Sequence, residues 1–416
     1  MTNLINTLKA EFLSYPKNMR IAIGIMVFLG ITFMISASRV WLFGLGVTDM
    51  SNLYPFGQWI IGDLGLVALG GGAFTTGFLL YVFRNDKLDP IINSTVMIGF
   101  LCYLFTFVYL VLDIGQPLRA WFGYIYPNWG GIRPLPESML TEVVWCLTIY
   151  FIILIIEFIP VPLKHRILDR VTFLNRFGHY LHKLMWIVAA TGTFFSFFHQ
   201  GSLGGGMWGE LYAKAGWYRG HFFFLAIAGA VAAGTSFMAL WTYIAGKVMK
   251  KEVVPVETLI TLAKISGIAY LFYMVFRLVD LYTLAVVYAP MFDRSLAGIL
   301  GGFYGWWMYG LEIILGFAAI ILLFFKKFRE QEKLRLAGWI CAVGSVTIHK
   351  IIIVLWGSSI PNFPWREYNT YNPTLDEWTI MLGGLSIMVL IYMAAARYLP
   401  LFPHLEKQKH HDEDQH

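Results

Sequence analysis

The sequence predicts an all-α polytopic membrane protein with about ten transmembrane helices, on three observations: charge is sparse, apolar runs are long, and Lys and Arg alternate between rich and poor loops. Charged residues make up 13% of the chain and hydrophobic ones 58%, against roughly one quarter charged in an average soluble domain. A fold surrounded by water cannot hide that much apolar side chain. Apolar runs long enough to cross a hydrocarbon layer of about 30 Å lie near 21–37, 57–83, 90–112, 138–158, 178–200, 217–246, 257–283, 300–325, 335–356 and 376–399. The first twenty residues hold Lys9, Lys17 and Arg20 without the small-residue cleavage site of a removed signal peptide, so the first run reads as a retained anchor.

Orientation follows from the 31 Lys and Arg. Twenty fall on one side, in the termini and in loops such as those holding Arg84 and Lys87, Lys247 to Lys251 and Lys326 to Arg335. Seven fall on the other: Arg39, Arg119, Arg133, Lys214, Arg219, Arg294 and Arg366. By the positive-inside rule both termini are expected in the cytoplasm. The net charge of +6 is thereby explained by topology, and no nucleic-acid partner is expected. Cys102, Cys146 and Cys341 sit singly in apolar runs with no CxxC, which predicts no disulfide framework and no metal or iron–sulfur site. No phosphate-binding glycine loop sits in a strand–helix setting. On the Lys/Arg-poor side, the loops Trp121 to Gly131, Gly201 to Trp217 and Asn362 to Tyr371 are rich in Trp, Tyr, Pro and Gly. They suit either partner docking or an interfacial aromatic belt.

An internal echo organises the spans. The second and sixth open with Gly62-Asp63 and Gly220-His221 and continue into Gly70 to Gly72 and Ala228 to Gly234; the third and seventh end near Asp113 and Asp280; the fourth and eighth carry Glu142 and Glu312. This predicts two four-helix bundles, residues 57–200 and 201–356, with one flanking helix at each end of the chain (1–56 and 357–416). Small residues would let the helices approach closely.

Ionisable side chains inside a membrane are expensive and mark functional paths. On the seventh span Ser266, Tyr270, Tyr273, Arg277 and Asp280 recur at three- and four-residue steps and share one helical face. That stripe reads equally as a proton relay or as a structural Arg277–Asp280 pair. Glu142 and Glu157 lie about 22 Å apart along the fourth span, one toward each membrane face, with Glu157 close to the interface. Asp63, Glu312, Lys264, His349 and Lys350 are further candidates for proton traffic. His199, at the end of the fifth span, has the chemistry to donate a hydrogen bond to a quinone carbonyl and pass a proton; a satisfied interfacial His is the competing reading. Paired haem ligands at matching depth are not evident, although His199 and His221 are candidates to meet.

Several of these residues sit in motifs that resemble a known family. The segments Leu53-Tyr54-Pro55-Phe56-Gly57-Gln58-Trp59, Asp113-Ile114-Gly115-Gln116-Pro117, Ser138 to Tyr150, Glu157-Phe158-Ile159-Pro160 and His199-Gln200-Gly201-Ser202-Leu203-Gly204 resemble the NrfD/PsrC family of quinone-interacting membrane subunits. The similarity is to its ten-helix branch, which includes hydrogenase and menaquinone reductase membrane subunits. The resemblance implies a haem-free subunit of the bacterial inner membrane, without an iron–sulfur cluster of its own. It also implies a periplasmic iron–sulfur partner, with molybdopterin-type, multihaem cytochrome or hydrogenase subunits beyond it. It assigns His199, Gln200, Asp113 and Glu142 to a menaquinone pocket, and Asp63, Tyr270, Tyr273, Arg277, Asp280, Glu312, Glu157, Lys264, His349 and Lys350 to proton movement. A secondary transporter and a di-haem cytochrome are the competing function classes.

Overall fold

A computed structural model describes residues 12–13, 15–125, 139–163, 172–209 and 214–402. Ten long helices carry the fold: α1 (Lys17–Phe43), α2 (Gln58–Tyr81), α3 (Ile92–Asp113), α4 (Met139–Phe158), α5 (Thr172–Gly201), α6 (Phe222–Met249), α7 (Val256–Thr283), α8 (Trp306–Phe324), α9 (Glu332–Ile351) and α10 (Leu375–Tyr398). All regular structure among the described residues is helical. Nine of these helices are long and apolar enough to cross a membrane. The tenth, α5, has 30 residues and so measures about 45 Å. It contains the predicted run 178–200 but begins earlier, through the polar stretch of Asn175, Arg176, His179, His182 and Lys183.

Proline and polar caps set several boundaries. Pro16 and Pro255 precede α1 and α7, where a fixed φ and a missing N–H cost nothing. At α10, Thr374 and Glu377 form a capping box in which Thr374 Oγ1 accepts from Glu377 N and Glu377 Oε2 accepts from Thr374 N. Three helices end in a π-helical stretch: α5 at Ser202–Gly206, α7 at Leu284–Tyr288 and α9 at Ile352–Trp356.

Packing follows two rings. Helices α2, α3, α4 and α5 close one ring, α6, α7, α8 and α9 close another, and the rings meet where α2 lies along α6. At that crossing a Cβ on Gly72 would stand 2.2 Å from the Gly234 backbone, so only glycine permits the approach. The two outer helices, remote in sequence, pack on each other: Ser36 bonds Thr379 at 2.7 Å, and Arg39 pairs with Asp376 at 3.3 Å. Only 17% of the apolar window of α1 is buried, against 83% of that of α2, which puts α1 at the periphery and α2 at the centre.

Consecutive helices run in alternate directions, so the loops gather at two ends. At the Lys/Arg-rich end Lys87 pairs with Glu257 at 2.5 Å, and Asn93 donates to Pro400 O at 3.0 Å. At the other end Lys214 donates to Leu53 O, Ser358 O and Ile360 O at 3.2 to 3.3 Å. Tyr54 Oη there donates to Leu355 O at 2.6 Å, and Asp49 accepts from Asn372 N at 2.6 Å. The second end is therefore a closed cap of interlocked loops.

Candidate functional site

Beneath that cap, the first ring converges on His199 and Tyr150. Glu142, Cys146 and Tyr150 recur every four residues and so share one face of α4; Cys146 Sγ donates to Glu142 Oε1 at 3.0 Å. His199 is buried in the last turn of α5 with its ring 4.9 Å from that of Tyr150, and Tyr150 lies 4.5 Å from Tyr103 of α3. Gln200 Nε2 donates to Val67 O of α2 at 2.5 Å and lies 3.5 Å from Tyr103 Oη. A Cβ on Gly71 would stand 3.1 Å from that nitrogen, which is why the residue beneath Gln200 carries no side chain. Trp59 Nε1 donates to Asp113 Oδ1 at 3.1 Å, holding the end of α3 against the start of α2. Asp63 is buried one turn above Trp59 and lies, with Glu142, within electrostatic reach of Tyr150.

This cluster makes few internal bonds. Tyr150 Oη, both ring nitrogens of His199, Gln200 Oε1, Glu142 Oε2, Asp63 Oδ1 and Thr141 Oγ1 are buried without a hydrogen-bond partner among the described residues. Each such atom costs about 1–3 kcal/mol, and native structures leave few of them. Seven such atoms on adjoining helices leave hydrogen-bonding capacity that the described residues do not fill. Donors (Tyr150 Oη, His199) and acceptors (Gln200, Glu142, Asp63) occur together against tyrosine rings. A flat, apolar molecule with polar oxygens matches that chemistry.

The second ring holds its polar residues at the same end, and there most of them bond one another, with Arg219 Nε, Tyr309 Oη and His349 Nδ1 left without a hydrogen-bond partner among the described residues. Every member of the α7 stripe, Ser266, Tyr270, Tyr273, Arg277 and Asp280, is buried. Arg277 donates through Nε and Nη2 to the two oxygens of Glu312 at 2.8 and 2.6 Å, and through Nη1 to Asp280. Arg219 Nη1 bonds both oxygens of Asp280 at 2.8 and 2.9 Å, and His221 Nε2 lies 2.5 Å from Asp280 Oδ1. Tyr273 Oη donates to Glu312 Oε1 at 2.8 Å, and Ser345 to Glu312 O at 3.0 Å. His349 Nδ1 stands 3.2 Å from Glu312 Oε1 in an ion-pair contact whose angle misses a hydrogen bond. Toward the opposite end the stripe continues as Tyr270 donating to Ala342 O and Ser266 to Ala232 O. Lys350 is buried and reaches Gly204 O at 3.4 Å, touching the π-helical stretch that follows Gln200.

The predicted residues thus divide. His199, Gln200, Glu142 and Asp63 meet in the first ring, and Asp113 joins them through Trp59. Tyr270, Tyr273, Arg277, Asp280, Glu312 and His349 meet in the second. Glu157 is buried near the far end of α4, away from both clusters, and Lys264 is exposed on the outer face of α7. An exposed Lys264 does not join the α7 stripe, because it is two residues out of phase with Ser266. The expected meeting of His199 and His221 does not occur: His199 packs on Tyr150, and His221 is taken by Asp280. Sequence reasoning misses Tyr150, Tyr103 and Trp59 in the first ring and Arg219 in the second. The four-residue spacing of Glu142, Cys146 and Tyr150 is the available signal for Tyr150.

Residues 46–362 match the family described as Polysulphide reductase, NrfD. The chain belongs to the NrfD family. It is 37% identical over 384 residues to "Menaquinone reductase, integral membrane subunit" of Nitratidesulfovibrio vulgaris, covering 88% of each chain. It is 24% identical over 382 residues to "Probable Ni/Fe-hydrogenase 2 b-type cytochrome subunit" of Escherichia coli, covering 89% of each. A selenate reductase subunit of Mesobacillus selenatarsenatis is 22% identical over 398 residues, covering 88% of this chain and 90% of that one. As an NrfD-family member with nine helices among the described residues long and apolar enough to cross a membrane, the chain is a multi-pass membrane protein.

Proposed function

We propose that this subunit passes electrons from iron–sulfur or cytochrome subunits on the periplasmic side to menaquinone, whose headgroup binds between α2, α3, α4 and α5. The carrying observation is the set of unpartnered buried atoms on Tyr150, His199, Gln200, Glu142 and Asp63. A quinone offers two carbonyl acceptors and a flat ring. Tyr150 Oη and a His199 N–H suit the carbonyls, and the Tyr103 and Tyr150 rings suit the headgroup faces. Conversion of a quinone to its quinol takes up two electrons and two protons. The electrons come from outside this chain. Glu142, half-buried at the start of α4, and Asp63 are the groups that hold and replace protons beside His199.

Proton uptake from the cytoplasmic, Lys/Arg-rich end would make the reaction electrogenic. The α7 stripe supports such a route, because its buried hydroxyls descend from Asp280 to Ser266 over about 21 Å. A hydrogenase-type complex would use the same pocket with a different donor. A transporter reading gains less support, since both polar clusters sit at one end of the rings and not at mid-depth.

Reconstitution tests the proposal. The complex in liposomes, given donor and a menaquinone analogue, is expected to build a membrane potential while the quinone is reduced. Turnover without any potential would remove the electrogenic part, and an unaltered rate in His199→Ala would remove the pocket.

A further inference from the structure

Away from both polar clusters, at the Lys/Arg-rich end, a groove of about 890 Å³ opens between the start of α1 and the ends of α6 and α10. Its floor and walls are apolar, with Ile23, Trp241, Val248, Val389 and Tyr392 among them, and among the described residues no Asp or Glu lines it. Along α6 it runs from Trp241 to Met249, about 12 Å at the helical rise, and Lys250 and Lys251 continue it past the helix end. That depth fits within one leaflet of a hydrocarbon layer of about 30 Å.

Three cations, Lys250, Lys251 and Arg397, stand in its lining at the end where the loops are basic, and all three are exposed. Of the nearby acids, Glu257 pairs with Lys87 at 2.5 Å and Glu332 with Lys247 at 2.7 Å, while Glu252, next to Lys251, is exposed and outside the groove lining. Neither Lys250 nor Lys251 makes an ion pair among the described residues. Lys250 also closes α6 in the left-handed conformation, with φ 53° and ψ 38°, which is unfavourable for a side-chain-bearing residue. Glycine would do that turn more cheaply; a lysine there supplies charge at the mouth.

We propose that this groove binds one anionic phospholipid of the adjacent leaflet, its phosphate held by Lys250 and Lys251 with Arg397 alongside, and its acyl chains lying between α1, α6 and α10. Apolar depth within a leaflet and lysine charge at the interface are the two properties that such a lipid requires.

The test uses the full chain purified in detergent, incubated with dioleoyl phosphatidylglycerol or dioleoyl phosphatidylcholine, then gel-filtered and examined by native mass spectrometry. Wild type is expected to keep one phosphatidylglycerol per chain and to lose it as salt rises. The double variant Lys250→Gln, Lys251→Gln should bind it about tenfold more weakly or worse. Ala245→Trp, which fills the groove without touching the charges, should lose it too. Equal retention of phosphatidylcholine, or retention unchanged in both variants, would overturn the proposal. So would lipid that binds only after deletion of residues 2–11, which would assign the groove to the chain's own terminus.

Discussion

The two rings use the same frame for opposite ends. Each has an aspartate near the last turn of one helix (Asp113, Asp280), a glutamate early in the next (Glu142, Glu312), and a histidine three residues before a π-helical stretch (His199, His349). In the second ring, Arg277 and Arg219 bind both carboxylates, so every carboxylate oxygen of Asp280 and Glu312 has a partner. In the first, Leu110 stands where the α7 spacing puts Arg277, three residues before the aspartate, and carboxylate oxygens of Glu142 and Asp63, with both His199 nitrogens, have no hydrogen-bond partner among the described residues. One constellation is filled by the chain's own cations, and the other, which has none among the described residues, is the one proposed to hold a ligand. Polar residues inside a membrane protein are therefore no guide to a site until their bonds are counted: a saturated network stabilises, while an unsaturated one recruits.

That contrast breaks most sharply at Arg277. Arg277→Leu leaves Asp280 and Glu312 short of a cation, and removing one partner of a buried pair costs about 3–5 kcal/mol. A large loss of thermal stability in detergent is expected, partly restored by the charge-balanced double variant Arg277→Leu, Glu312→Gln. An undiminished melting temperature in the single variant would show that the network carries no fold energy. His199→Ala should do the reverse, leaving the melting curve in place while quinone reduction falls by about 10²-fold or more, the usual scale for a lost proton-transfer group.

A matched tyrosine pair sharpens the comparison. Tyr273→Phe deletes a hydrogen bond to the Glu312 carboxylate and should cost about 1.5–3 kcal/mol. Tyr150→Phe deletes a hydroxyl with no partner among the described residues, so stability should hold or rise while quinone affinity drops. Equal destabilisation by the two would mean that Tyr150 is already satisfied within the protein.

The smallest effect belongs to Lys214, outside both rings. Burial among three carbonyls holds its ammonium below the usual 10.5, so at alkaline pH the unfolded chain binds more protons than the folded one. Stability should then climb with pH across the window between the lowered folded value and 10.5. Lys214→Met should flatten that slope in a pH series of melting curves.

Much of this is legible in the sequence, for physical reasons that also set the limits. Membrane spans announce themselves because lipid imposes length and apolarity on a single segment, and the α7 stripe announces itself because helical spacing is local. The pairing of α1 with α10 is not local, and nothing in either run names its neighbour. Arg219 reads as one more loop charge, since its burial arises only when the segment before α6 folds over Asp280. Tyr150 is one of 22 tyrosines until Tyr103 and His199 are set beside it.

The crossing of α2 and α6 carries a mechanical consequence. With Gly72 and Gly234 in backbone contact, no side chain lies between the helices to bend or change rotamer, so the rings cannot slide along each other there without a steric clash. Rotation about that point is the motion left open. It would act as a pivot near the middle of both helices, with the cap of interlocked loops at one end of the lever.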